Sequence, residues 1–228
     1  MDDFLKTAQP DGDPSDPWRV FRIIAELVRG FDTFSGEGPF ISIFGSARSK
    51  KNSPYYHLAY EIASKIAKKG FSIITGAGLG TMEAANKAAQ DNKRRSAGLI
   101  PDIPDDVTNE YIDPRFKLHF RHFFVRKVMF VRYASGFVFL PGGYGTLDEL
   151  FEVLTLIQTK KIQPVPVFLV GTEYWKPLSN WILSKMLEEE HISKAEASVF
   201  TLTDDPDYVA NTLSEEYLAK LKTTQVQF

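Results

Sequence analysis

Gly136-Phe137-Val138-Phe139-Leu140-Pro141-Gly142-Gly143-Tyr144-Gly145-Thr146 is the stretch on which the fold turns. Residues 136–140 form an unbroken apolar run, as expected of a strand covered on both faces. A glycine-rich turn follows at once. Leu147, Leu150, Phe151, Leu154 and Ile157 then keep helical spacing, which predicts a helix to about Lys160. A strand that runs through glycines into a helix is half of a parallel crossover unit.

The same grammar recurs on both sides. Upstream, Phe71–Thr75 (FSIIT) leads through Gly76-Ala77-Gly78-Leu79-Gly80 into an Ala-rich helix that reaches about Asn92. Before it, Phe40–Phe44 (FISIF) leads through Gly45-Ser46-Ala47-Arg48 to a helix over 55–69, closed by Lys68-Lys69-Gly70. Ala97–Ile100 and Lys117–Phe120 read as short strands, 101–116 as a loop, and Phe124–Tyr133 as a helix. Downstream come a strand at Val165–Val170, a helix at 175–190, a strand at 199–202 and a helix at 206–221. A further helix opens with Asp16 as N-cap and Pro17 in its first turn, with Val20, Ile23, Ile24, Leu27, Val28 and Phe31 on one face. This alternation predicts an α/β, Rossmann-like three-layer sandwich: a mostly parallel central sheet with helices on both faces. Residues 1–15 read as a disordered acidic arm and 16–228 as a single Rossmann-like nucleotide-binding domain with an N-terminal helix.

Composition narrows the partners. A net charge of −2 gives no electrostatic ground for nucleic acid or an anionic membrane surface. With no cysteine, disulfides, thiolate nucleophiles and Cys-based metal sites are excluded. His119 and His122 are the only close histidine pair, three apart in a stretch read as strand, where their side chains diverge; no metal site is expected. The Asp-rich start is not a secretory signal, and the longest apolar run, Val165–Val170, is far too short to span a bilayer. A soluble, cytoplasmic protein is expected.

In an open parallel sheet, ligands bind beyond the carboxyl ends of the strands. That places Gly45, Ser46 and Arg48, then Gly76, Gly78 and Gly80, then Gly142, Gly143, Gly145 and Thr146 along one edge. Glycines let backbone N–H groups approach an anion, and a helix amino end adds partial positive charge, so a phosphate is the ligand this edge suits. No Gly-Lys-Ser/Thr follows any of these turns, and the glycine spacing of GAGLG departs from the dinucleotide fingerprint. No cofactor is expected. Thr146-x-x-Glu149 has the form of a capping box, with Glu149 reaching back to the N-cap amide; on sequence physics alone that is the better reading of Glu149. Arg126-Lys127 lies between core-like aromatics, and Arg forks readily to phosphate or carboxylate; Arg48 and Arg121 are weaker candidates for such a contact.

FGSAR, ITGAGLGTMEAANKAA, FFVRKVMF and above all PGGYGTLDE, over roughly residues 39–205, resemble the LOG family of cytokinin riboside 5′-monophosphate phosphoribohydrolases, formerly labelled lysine decarboxylases. FFVRKVMF and FEVLTLIQTKK are closest to its longer bacterial branch. The resemblance implies hydrolysis of a nucleoside 5′-monophosphate, such as AMP or a cytokinin-type nucleotide, to free base and ribose 5-phosphate. It implies Arg126 and Glu149 as the catalytic pair, the glycines of 142–146 as phosphate cradle, and Glu83 and Lys127 near the ribose or phosphate. It also implies a homodimer or larger homo-oligomer. Where the family more often reads TGGGPGIM this chain has TGAGLGTM, and Ala77 can serve there if its φ is negative. The alternative is a non-catalytic nucleotide or molybdenum-cofactor-like carrier, which would bind without releasing base. A decarboxylase would need pyridoxal phosphate on a Schiff-base lysine, and no lysine in the sequence is marked for that role.

Overall fold

The structure is a computed structural model that describes residues 16–103 and 107–225; the acidic arm of 1–15 lies outside it, as does the side chain of the expected cap Asp16. The elements in chain order are α1 (Asp16–Phe34), β1 (Phe40–Phe44), α2 (Pro54–Lys68), β2 (Ser72–Thr75), α3 (Thr81–Asp91), β3 (Ser96–Pro101) and β4 (Lys117–Phe120). They continue with α4 (Phe123–Arg132), β5 (Ala134–Phe139), α5 (Tyr144–Gln158), β6 (Val167–Leu169), α6 (Thr172–Trp181), α7 (Lys194–Ala197), β7 (Thr201–Leu202) and α8 (Pro206–Gln225).

All seven strands join one parallel sheet in the order β4-β3-β2-β1-β5-β6-β7. The chain winds outward from β1 in one direction through β4, returns to β5 beside β1, and winds outward the other way. The strand order therefore reverses between β1 and β5, where the loops leaving the two strands part and open a crevice.

FISIF shows how the sheet is sealed. Phe40 and Phe44 face a cluster with α1, α4, α5 and α6, while Ile41 and Ile43 face the opposite cluster with α2, α3 and α8. Phe137 and Phe139 of β5 join the first cluster, and Val138 and Leu140 the second. Period-2 alternation between two apolar faces explains why these strands read as unbroken runs. On the first face, Ser42 Oγ donates to the Phe130 carbonyl of α4 at 2.9 Å, so the one hydroxyl in this strand is satisfied.

Two elements depart from expectation. The α1 stripe divides: Ile23 and Leu27 pack on the core, whereas Val20, Ile24, Val28 and Phe31 remain exposed, because the helix touches the body along only one side. The helix expected at 175–190 begins earlier, at Thr172, and gives way after Trp181 to a π-helical turn over Ile182–Met186. Pro177 inside α6 deprives it of a main-chain donor and strains the preceding turn.

Candidate active site

Beyond the ends of β1, β2 and β5 opens a cavity of about 770 Å³. Its lining takes in Gly45, Ser46 and Arg48 after β1, Gly76 and Gly78 after β2, and Gly142, Gly143, Gly145 and Thr146 after β5. Arg126 and Glu149 line it as well, so eleven of the expected site residues meet around one space set on the reversal of strand order.

The glycines have different tasks. A Cβ on Gly80 would lie 2.4 Å from the Ser46 carbonyl, and one on Gly142 2.1 Å from Thr146 Oγ1. These two permit close packing between turns. Gly143 and Gly145 have nothing within 4 Å of such a Cβ, so they are the open ones. The helix starts differ too. Thr81 of α3 donates its amide and its hydroxyl to the Ser46 carbonyl, which stops that helix end with protein. On α5 no side chain caps the start, and the amides of Gly143, Tyr144 and Gly145 have no acceptor among the described residues. The positive end of α5 is thus left open toward the cavity, where an anion would find unpaired donors.

The capping box expected at Thr146 and Glu149 is not formed. Helix α5 starts at Tyr144 with Gly143 as its N-cap, so Thr146 already stands in the first turn and its own amide donates to the Gly143 carbonyl at 3.0 Å. Glu149 is thereby moved into the helix body. It is buried, and neither carboxylate oxygen has a hydrogen-bond partner among the described residues. Arg126 Nη2 lies 3.9 Å from Oε1 and Lys127 Nζ 3.9 Å from Oε2. Burial pushes the Glu149 carboxyl up to about 7, against the pull of Lys127 and Arg126 toward the charged form. A buried carboxyl with no hydrogen bond in a cleft, titrating near neutrality, is chemically able to exchange a proton there.

Arg126 is held by aromatic faces. Its guanidinium carbon is 4.4 Å from the Phe123 ring centroid and 5.4 Å from that of Phe130. Lys127 points behind Glu149, with Nζ at 2.8 Å from Asp148 Oδ2 and 2.9 Å from Glu152 Oε2, and it does not line the cavity. Glu83 and Gly80 do not line it either. Glu83 is buried and pairs with Lys51 Nζ at 2.6 Å, while its neighbour Met82 lines the cavity. Arg121 lies outside, its amide held by Glu26.

Ala77 takes φ +67°, so the negative φ under which it could stand in for the family's glycine is not met. A buried network imposes this left-handed turn. The Ala77 amide donates to Thr75 Oγ1 at 3.0 Å, and the Ala77 carbonyl accepts from the Asn109 amide at 2.9 Å and from Asn109 Nδ2 at 3.0 Å. Asn86 ties the parts together: its Oδ1 accepts from Thr75 Oγ1 at 2.6 Å and Asn109 Nδ2 at 3.0 Å, and its Nδ2 donates to Ser96 Oγ at 2.8 Å.

A family model described as possible lysine decarboxylase matches residues 82–213, which run from α3 through Arg126 and Glu149 into α8. Among curated proteins, the cytokinin riboside 5′-monophosphate phosphoribohydrolase LOG of Oryza sativa subsp. japonica is 34% identical over 142 residues, 60% of this chain and 57% of that one. LOG3 of Arabidopsis thaliana, which carries the same enzyme name, is 33% identical over 153 residues, 65% of this chain and 69% of that one. The chain belongs to the LOG family. It spans little more than half the length of the rice relative. LOG membership accords with the fold of solved neighbours. The molybdenum cofactor carrier protein of Chlamydomonas reinhardtii superposes with a TM-score of 0.60 at 19% identity, covering 80% of this chain and 99% of that one. The molybdenum cofactor binding protein of Rippkaea orientalis gives 0.53 at 18% identity, covering 83% and 99%. At such identities the likeness is one of fold alone.

In this LOG chain two lining residues, Pro101 and Tyr174, stand outside every motif of the sequence, while Phe44, Met82 and Phe130 lie within motifs but were not singled out as site residues. A sequence signal does mark the region of Tyr174. Gly171 follows the β6 run as glycines follow the other strands, and it starts a helix at the same sheet edge.

Proposed function

We propose that this chain is a nucleoside 5′-monophosphate phosphoribohydrolase, cleaving the N-glycosidic bond of AMP or a cytokinin-type nucleotide. The carrying observation is a buried, hydrogen-bond-free Glu149 beside Arg126 on a cavity into which α5 opens its uncapped amino end. The 5′-phosphate sits on the Gly143–Gly145 amides. The ribose then lies toward Glu149, whose carboxylate stabilises the oxocarbenium character that builds at C1′ and aligns a water on that carbon. Water oxygen bonds to C1′ and gives up one proton, the C–N bond breaks, and the base leaves with the electron pair of that bond and takes up a proton from solvent, so that the water is split between ribose hydroxyl and protonated base. Glu149, titrating near 7, is suited to accept a proton from the water. Arg126 does not transfer one, since guanidinium pKa values exceed about 12; it orients Glu149 and the phosphosugar.

No lysine among the described residues lines the cavity, which speaks against a Schiff-base decarboxylase at this site. A carrier would need the phosphate seat but not a reacting carboxyl, and Glu149 favours the hydrolase over it. Self-association into a homodimer or larger assembly is part of the same reading, with the exposed apolar residues Val20, Ile24 and Val28 of α1 as contact surface.

Glu149→Gln preserves shape and removes the charge. The rate of adenine release from AMP, followed by chromatography, is expected to fall at least ~100-fold, with melting unchanged within a few degrees. A variant that releases adenine at the parent rate overturns the assignment.

A further inference from the structure

The Gly142-Gly143 peptide carries no side chain on either side, and nothing crowds a Cβ position at Gly143. Such a peptide is free to flip. A flip would exchange the N–H of Gly143 for the carbonyl of Gly142, and so put a lone pair where a phosphate needs a donor. Something must fix the plane.

The structure holds it from outside the motif. Tyr174 Oη donates to the Gly142 carbonyl at 2.6 Å. Because a trans peptide sets N–H antiparallel to C=O, a bond at one end fixes the direction of the other. Tyr174 is itself rigidly seated. Asp204 Oδ1 accepts from the Gly171 amide at 2.6 Å and the Thr172 amide at 2.8 Å, and Oδ2 accepts from Thr172 Oγ1 at 2.6 Å, which fastens the start of α6. Gly171, at φ +97°, lies so close to Pro141 that a Cβ would be 2.7 Å from the proline Cγ. The next residue, Trp175, is buried and donates its indole N–H to the Phe139 and Val170 carbonyls at 3.1 and 3.0 Å. Helix α6 is thus clamped to the ends of β5 and β6 on both sides of Tyr174.

We propose that Tyr174 is a positioning residue for the phosphate seat, its hydroxyl locking the Gly142-Gly143 peptide so that α5 presents donors to the 5′-phosphate. The inference rests on the phosphate placement proposed above. Its effect belongs to phosphate affinity and not to the bond-breaking step, since the Tyr174 hydroxyl bonds the Gly142 carbonyl and not Glu149.

Tyr174→Phe removes one oxygen and keeps the ring. Calorimetry with ribose 5-phosphate and steady-state kinetics with AMP are run on parent and variant. Loss of one hydrogen bond is expected to raise the ribose 5-phosphate Kd and the AMP KM about three- to ten-fold, with kcat changed less than about two-fold and Tm held. Equal Kd and KM in the two proteins overturn the inference alone. A kcat that falls with KM unchanged, or a lowered Tm with both constants altered in proportion, marks a catalytic or merely structural role and overturns it too. A parent that binds no ribose 5-phosphate overturns the phosphate placement itself, and the inference with it.

Discussion

If Glu149 is the reacting carboxyl of the proposed hydrolysis, its burial makes the rate depend on pH. Its carboxyl titrates at about 7 because desolvation outweighs the attraction of Lys127 and Arg126, with Glu152 and Asp148 adding to the rise. If the ionised form reacts, the rate climbs as pH rises through 7, and the acid limb of kcat/KM for AMP reports that titration. Lys127 favours the charged form, so Lys127→Met is expected to move the acid limb upward by about one unit, measured as the pH profile of adenine release. A limb that stays in place, or moves down, sinks this account of the carboxyl's environment. The residue scale is also where sequence reading was most divided. Thr146-x-x-Glu149 satisfies a capping pattern perfectly well on paper, and only the position of the helix start, three residues earlier, decides against it. That start is set by the Gly142-Gly143 turn and by Thr146 lying over Gly142, neither of which is visible from spacing.

At the scale of elements, the turn between β2 and α3 shows what one buried side chain can organise. Asn86 is fully buried and joins Thr75 of β2, Ser96 of β3 and Asn109 of the following loop. Truncation would leave at least three buried polar groups without their partner, each a desolvation cost. Asn86→Ala is expected to lower unfolding free energy by about 2–4 kcal/mol, read from urea denaturation, and to loosen the left-handed turn at Ala77. A loss under about 1 kcal/mol would mean that these groups find other partners and that Asn86 does not organise the turn. In the sequence, Asn86 is one polar residue in an Ala-rich helix. Its partners arrive from three separate segments, so the network was illegible where the helix itself was plain. Strands such as FISIF and GFVFL were legible because burial on both faces writes itself as continuous apolarity. The beginning of α6 was not, because Thr172 to Pro177 is polar and proline-broken, and its place is fixed by Asp204 and Pro141 from elsewhere in the chain.

Over the whole molecule, alternation of strands and helices foretold a parallel sheet but not which strands are neighbours. The order places β1 beside β5, about ninety positions on, and that juxtaposition brings Gly45–Arg48 against Gly142–Leu147. A phosphosugar held there touches loops from strands on both sides of the reversal, so it stabilises the sheet as a unit and not one helix end. Ligand that binds only the folded state adds about 2.7 kcal/mol at a hundred times its Kd. For a chain of this size each kcal/mol raises Tm by about 2–4 °C, so ribose 5-phosphate at that excess is expected to raise the melting temperature by about 5–10 °C. Adenosine at equal concentration, lacking the phosphate that the proposed function seats on α5, is expected to shift it much less. Differential scanning fluorimetry reads both. If adenosine matched ribose 5-phosphate, the affinity would reside in base and sugar, and the uncapped start of α5 would not be the anchor around which this crevice is arranged.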